Sequence, residues 1–258
     1  MIERDYRAIR VAAADGVATV TLNLPERRNA LGPTMVNELL YALDDAKDDP
    51  EVRVIVVTGA GGTFCSGGDL KQMGGEPTLE HRGDYADLLL RFRDLGKPTI
   101  SRIEGYAMGG GLGLVASTDF AVASETAVFG TPEIRRGLFP MMIMAVLRRC
   151  VPQRQLMSMM LLGEKLDAKT ALDYGLLSHV VPEAELDVKV GALAESLASH
   201  SPKALEMGLL AFRHQESQTL DEALPYLRDQ LFALLGTEDA QEGLRAFMEK
   251  RAPVWKGR

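Results

Sequence analysis

The sequence has little of several things, and each shortage removes a class of protein. Cysteine occurs only twice, at Cys65 and Cys150, too few for a disulfide framework, so a reducing cytoplasm is the expected setting. Histidine occurs four times, as His81, His179, His200 and His214. None has the spacing of a ligand set, and no metal site is expected. Basic charge does not dominate: 29 Lys and Arg stand against 36 Asp and Glu, for a net charge of −7. Nucleic acid is therefore not expected as a partner, because phosphate-backbone binding needs basic stripes. A local basic patch for one phosphorylated ligand remains compatible with that balance. No apolar run reaches the ~18 residues of a membrane span. The nearest, FPMMIMAVLRRCV, is interrupted by Arg148 and Arg149, so no membrane partner is expected. The opening MIERDYRAIR carries charge where a secretory leader needs an apolar run. There is no low-complexity segment, no Pro/Gly/Ser-rich linker and no sequence-level repeat.

What is present is a globular composition. The 258 residues are 46% hydrophobic and 25% charged, enough for one large core with a smaller appendage. YRAIRVAA and VATVTLNL alternate as strands around an Asp15-Gly16 turn. A helix is predicted after Gly32-Pro33-Thr34, where Met35, Leu39, Leu40 and Leu43 recur at helical spacing, and Pro50 closes it. VRVIVV (52–57) is a continuous apolar run, as expected of a strand buried on both faces. A glycine-rich loop follows, then a polar stretch from Gly74 to Asp84 and a helix around YADLLLRFRDL. PTISRIEGYA reads as one strand, GGGLGLVAST as a short helix, and DFAVASETAVFG as two short strands. From Pro140 helices dominate, with one strand-like SHVVP, and the last third is nearly all helix. The order fits an α/β core over residues 1–195 with a helical part over 196–258. The apolar stripe Leu224, Leu227, Leu231 and Leu235 either packs on the chain's own core or forms a subunit interface.

Two glycine loops, CSGGDL (65–70) and GGGLG (109–113), each follow a strand-like run and precede a helix. Amides at a helix start are unsatisfied and carry the positive end of the helix dipole, and glycine lets a ligand atom come close. Each loop alone is equally well a tight turn. Converging, the two would form an oxyanion hole, with two N–H donors aimed at an oxygen that gains charge. The second loop also spells G-x-G-x-x-A at Gly111, Gly113 and Ala116, with Glu133 about twenty residues on, the dinucleotide-binding pattern. That pattern needs a crossover helix, and the segment between reads as two short strands.

Taken together, NLPERRNAL (23–31), TGAGGTFCSGGDLKQM (58–73), IEGYAMGGGLGLVASTD (103–119), FGTPEIRRGLFP (129–140) and MEKRAPVWKGR (248–258) resemble the crotonase superfamily, the enoyl-CoA hydratase/isomerase family. The matches fall in order and span nearly the whole chain. The resemblance implies an α/β fold, a spiral of ββα units, with a C-terminal all-helical region that assembles homotrimers or hexamers made as dimers of trimers. It implies an acyl-CoA thioester as substrate, with no cofactor beyond that coenzyme A moiety. It implies an enolate oxygen held by the N–H groups of Gly68 and Gly110. In typical hydratases one carboxylate sits three residues after the second of these glycines, and here that position is Gly113, which moves no proton. The second carboxylate follows the proline of F-G-x-P-E, and here it is Glu133. By position, CoA contacts are expected from Arg28, Ala30 and Leu31, then Gly68, Asp69, Leu70 and Lys71. Arg27, Arg28 and Lys71 are candidate phosphate partners by charge, and Lys250 and Lys256 of the basic tail are further candidates. Phe139 to Met144 either walls the acyl pocket or packs a helix. Cys65 is expected to be a buried filler, and Asp69, Glu104 and Asp119 to be structural. The reaction expected first is hydration of a 2-enoyl-CoA with Glu133 as the single acid/base. The alternatives are a Δ3-Δ2 double-bond isomerase using Glu133 alone, and a non-catalytic CoA-ester-binding subunit.

Overall fold

Strand pairing begins at the predicted hairpin. In the computed structural model, which describes residues 4–69 and 79–258, β1 (Ile9–Ala14) and β2 (Val17–Leu22) pair antiparallel. Asp15 and Gly16 both take positive φ, 52° and 80°, the two left-handed positions of a tight hairpin turn. Alternate residues of β2, Ala18, Val20 and Leu22, are buried, as a half-covered strand requires. The helix α1 (Pro33–Asp48) starts with Pro33 in its first turn. Its Glu38 is fully buried and accepts hydrogen bonds from the N–H groups of Ala8 and Ile9 at 2.8 and 3.2 Å, which ties the helix to β1.

The continuous apolar run becomes β3 (Val54–Gly59), parallel to β2 on one side and to β4 (Thr99–Ile103) on the other. Between them lies α2 (Tyr85–Arg91). PTISRIEGYA is two strands, not the single one expected. It breaks at Gly105, which has φ 62° and where a Cβ would collide with the Gly62 carbonyl. The chain thereby leaves the first sheet, and β5 (Tyr106–Met108) enters a second. After α3 (Gly110–Ser117), the two strands read in DFAVASETAVFG are β6 (Phe120–Ser124) and β7 (Val128–Gly130), one in each sheet. No helix lies between α3 and Glu133, so the dinucleotide pattern lacks its crossover.

Helices α4 (Met141–Leu147) and α5 (Gln153–Leu162) lead to β8 (Lys165–Asp167), a strand too short and too exposed to leave an alternation signal. Then come α6 (Ala168–Asp173) and β9 (His179–Val181), the latter in SHVVP. The larger sheet has the order β1-β2-β3-β4-β6-β9, and the smaller β5-β7-β8. On one face of the larger sheet, Leu186, Val190 and Ala194 of α7 (Leu186–Ala198) cover Val54, Val56, Ile100 and Val122. The main core fills the other face. Helices α8 (Pro202–Gln215), α9 (Leu220–Leu235) and α10 (Glu238–Glu249) complete the described chain. Of the C-terminal stripe, Leu224, Leu231 and Leu235 are exposed, as are Phe232 and Phe247, so this stripe does not pack on the chain's own core. No helix among the described residues is long and apolar enough to cross a membrane.

Candidate active site

The first glycine loop is held from below by one side chain. Asn29 is fully buried with φ 53°, a conformation that Asn tolerates better than most residues. Its amide donates to the Ala60 and Thr63 carbonyls at 2.9 and 2.7 Å, and its oxygen accepts from Leu24 N–H at 2.9 Å. Ser66 N–H then donates to Arg28 O, Leu31 N–H to Gly67 O, and Asp69 N–H to Leu31 O, all at 2.8–2.9 Å. The segments read as two separate CoA-contacting stretches are therefore one backbone-bonded unit. A Cβ on Gly68 would meet nothing within 4 Å, so this glycine faces open space.

The second loop docks directly against the first. Cys65 N–H donates to Tyr106 O and Met108 N–H to Cys65 O, at 2.8 and 2.9 Å. A Cβ on Gly111 would press to 2.6 Å from the Cys65 Cβ. This close approach explains a buried cysteine here, and burial pushes its thiol up to about 12, so it is a filler as expected. Gly109 takes φ 50° and hands over to Gly110, the first residue of α3. Neither the Gly68 nor the Gly110 N–H has a backbone acceptor among the described residues. Both glycines line the same cavity. The fold thus brings the two glycine loops, separate in the sequence, to one cavity.

The carboxylate arrives from the smaller sheet. β5 and β7 run parallel with Met108 opposite Gly130, and Gly109 N–H donates to Gly130 O at 2.9 Å. Buried Thr131 donates its hydroxyl to Met159 O at 2.8 Å. A 3-10 turn from Pro132 to Arg136 follows. Glu133 Oε1 lies 2.8 Å from the position a Cβ on Gly109 would take, so only glycine leaves it this place. Its Oε2 is buried and has no hydrogen-bond partner among the described residues. Burial raises the Glu133 pKa above the ordinary carboxylate range, opposed by its own N–H and by Arg136. A carboxylate desolvated in this way is a stronger base than an exposed one.

These groups enclose a cavity of about 470 Å³. Phe139, Pro140, Met141, Met142 and Ile143 form one wall, with Leu31 and Tyr85 opposite the carboxylate side. The apolar run thus lines the pocket through Ile143, while Met144 packs on the core. A second cleft of about 880 Å³ adjoins at Gly68 and Asp69 and presents Arg27, Arg28, Ala30, Tyr106, Arg136 and Lys165. Of the expected phosphate partners, Arg27 and Arg28 both line the cleft, and Arg27 is also paired with Asp69 at 3.1 Å. Asp69 is the loop anchor that was expected. Leu70 and Lys71 lie outside the described residues. Lys256 pairs with Glu238 at 3.0 Å and Lys250 ends α10; neither lines the cavity or the cleft of this chain, because the tail packs beside α8 and α10. Glu104 pairs with Arg102 at 3.2 Å, and Asp119 accepts from Thr99 and pairs with Arg213, which makes both structural.

One residue of the site escapes sequence reading. Tyr85, first in α2, lines the cavity and donates its hydroxyl to the Gly110 carbonyl. A Cβ on Gly113 would fall inside contact distance of that hydroxyl and 2.5 Å from Ile143 Cγ2. The absent acid at 113 therefore leaves no void, since Tyr85 and Ile143 occupy its space. The only available signal was reciprocal: a glycine inside a helix asks what has taken its room.

An apolar pocket lined by two glycine loops and one desolvated carboxylate thus stands beside a cleft that presents arginines and a lysine. Residues 12–258 match the model of a family described as enoyl-CoA hydratase/isomerase. The chain is 37% identical over 246 residues to enoyl-CoA hydratase EchA19 of Mycobacterium tuberculosis, covering 93% of this chain and 92% of that protein. It is 35% identical over 248 residues to the mitochondrial enoyl-CoA hydratase domain-containing protein 3 of Xenopus laevis, covering 93% and 83%. The crystal structure of the human enoyl-CoA hydratase domain-containing protein 3 superposes with a TM-score of 0.90 at 34% identity, covering 96% of this chain and all of that one. A Bacillus anthracis enoyl-CoA hydratase gives a TM-score of 0.89 at 29% identity, covering 98% and 100%. The chain belongs to the enoyl-CoA hydratase/isomerase family, within the crotonase superfamily, and its two sheets and helices are the crotonase fold.

Proposed function

We propose that this enzyme hydrates a 2-enoyl-CoA, with Glu133 as its single acid/base. The observation that carries the reading is the desolvated Glu133 carboxylate, its Oε2 without a partner among the described residues, beside the glycine run that contains Gly110. The thioester oxygen takes hydrogen bonds from the N–H groups of Gly68 and Gly110. Glu133 removes one proton from a water as the water oxygen bonds to the β-carbon. The double-bond electrons move toward the thioester oxygen, and the enolate is held by the two amides. Glu133 then returns its proton to the α-carbon and the thioester re-forms. Water is consumed, the carboxylate is regenerated, and no cofactor beyond the CoA moiety enters. Arg28 and Lys165 of the adjoining cleft meet the CoA phosphates. The exposed apolar faces of α9 and α10 meet other copies in a homotrimer or a pair of trimers. Two free cysteines suit the reducing cytoplasm.

A second reading is favoured by Gly113. With Tyr85 and Ile143 filling the space of a second acid, Glu133 alone suffices to move a proton between two carbons, as a Δ3-Δ2 isomerase requires. Incubation with 2-enoyl- and 3-enoyl-CoA esters in deuterated water separates the two. Hydroxyacyl-CoA carrying deuterium at the α-carbon supports hydration. Double-bond migration without hydration overturns it in favour of the isomerase. Tight CoA-ester binding with no turnover and no exchange leaves a binding subunit.

A further inference from the structure

We infer that Tyr85 is the positioning residue for the attacking water, serving as the second acceptor that a two-carboxylate site would supply from position 113. The inference rests on the hydration reading above. An attacking water must turn a lone pair toward the β-carbon, so both of its protons need acceptors. Glu133 accepts one. The other requires a second oxygen on the same cavity, and the Gly113 side chain offers none.

Tyr85 stands in that place. Its hydroxyl fills the room into which a side chain on Gly113 would grow. It lines the cavity together with Glu133 and Gly110. The two oxygens address adjacent residues of one glycine run. Glu133 Oε1 is 2.8 Å from a Cβ position on Gly109, and the Tyr85 hydroxyl is 3.6 Å from a Cβ position on Gly110. The one phenolic proton is committed to the Gly110 carbonyl, so a lone pair is what the oxygen has left to offer. The residue is fixed from both ends. Asp84 caps α2 by accepting from Ala86 and Asp87 N–H, while Asp87 accepts from Asp84 N–H. Ile143 closes on the same space from α4. A phenol also differs from a carboxylate in adding no charge. Burial first, then Cys65 and Glu133, hold the Tyr85 pKa well above its ordinary value, so the group stays neutral and leaves Glu133 free of a like charge.

Tyr85→Phe tests this, because it keeps the ring that packs against Ile143 and removes only the oxygen. Three measurements are made on wild type and variant: kcat and KM for hydration across short-, medium- and long-chain 2-enoyl-CoA esters, α-proton exchange of the matching saturated acyl-CoA in deuterated water, and acyl-CoA affinity. Hydration kcat is expected to fall about 10²-fold, the lower end for a positioned proton-handling group, with KM within about twofold. The exchange rate, which needs Glu133 and the two amides but no water at the β-carbon, is expected to stay within about threefold. Parallel loss of exchange and hydration with retained affinity overturns the proposal and makes Tyr85 a support for Gly110. Loss of affinity as well overturns it as a packing defect. Unchanged hydration in the variant overturns the proposal while leaving the hydratase reading intact. A wild type that exchanges α-protons but hydrates no ester in the series overturns both.

Discussion

Glu133 is the residue on which chemistry and stability pull in opposite directions. Its carboxylate is buried, partnerless at Oε2 and raised in pKa. The folded chain therefore holds this proton more tightly than the unfolded chain does. The stability linked to it is full below the ordinary glutamate value and is lost as pH rises through the raised folded value. Glu133→Gln, always neutral, is expected to melt above wild type at pH 7–8 (~pH 4.3 being the ordinary glutamate value), with the difference vanishing once pH falls below that value. Thermal melts across pH check this. Activity runs the other way: kcat is expected to drop about 10²–10⁴-fold in the same variant. In wild type, kcat/KM is expected to fall on the acid side through one ionisation above the ordinary glutamate value, since Tyr85 stays neutral. A profile with two acidic ionisations would contradict a single-carboxylate site. Asn29 is a contrasting case, outside the cavity lining yet holding both segments proposed to contact CoA. Asn29→Ala is expected to cost about 2–3 kcal/mol, mainly from buried carbonyls and an amide left unpaired, and to raise KM more than it lowers kcat. Denaturant unfolding and steady-state kinetics measure the two effects.

Residues of α2 and α4 close on Gly113 of α3. Gly113→Glu would place a side chain into the Tyr85 hydroxyl and Ile143. It is expected to destabilise by about 1–3 kcal/mol, as overpacking does, without creating a hydratase of the two-acid kind. A thermal melt lower than wild type, with no gain in kcat, is the outcome to look for. This part of the site shows why sequence reading stopped where it did. Glu133 and the two glycines were legible because short motifs carry them. The hairpin, α1 and β3 were legible because turn chemistry and periodicity are local. Gly105 was not legible as the point where one apparent strand divides between two sheets, because its constraint is a carbonyl at Gly62, far along the chain. β8 is three residues of mixed exposure and has no alternation to detect. Tyr85 was read correctly as helical and missed as functional, since its meaning depends on Gly113 and Gly110, which lie on another helix.

The whole molecule leaves a large apolar surface on its last helices. Phe232 and Phe247 are 64% and 84% exposed, and Leu224, Leu231, Leu235, Leu244 and Met248 of the same two helices are exposed as well, the kind of apolar surface that marks an interaction face. Light scattering on the full chain is expected to give the mass of a trimer or hexamer, and Phe232→Glu combined with Phe247→Glu to give monomer. A monomeric wild type would refute the assembly. At this scale the division into two sheets has its own meaning. The glycine run follows β5, Glu133 follows β7, and the β5–β7 register, with Met108 opposite Gly130, sets the offset between them. That pairing works as a ruler. Sliding it by one residue would carry Glu133 a full strand step, ~3.3 Å, along the glycine run. Turnover is therefore a gauge of strand alignment. In a refolding experiment, activity is expected to return only when the three short strands of the smaller sheet have settled into register.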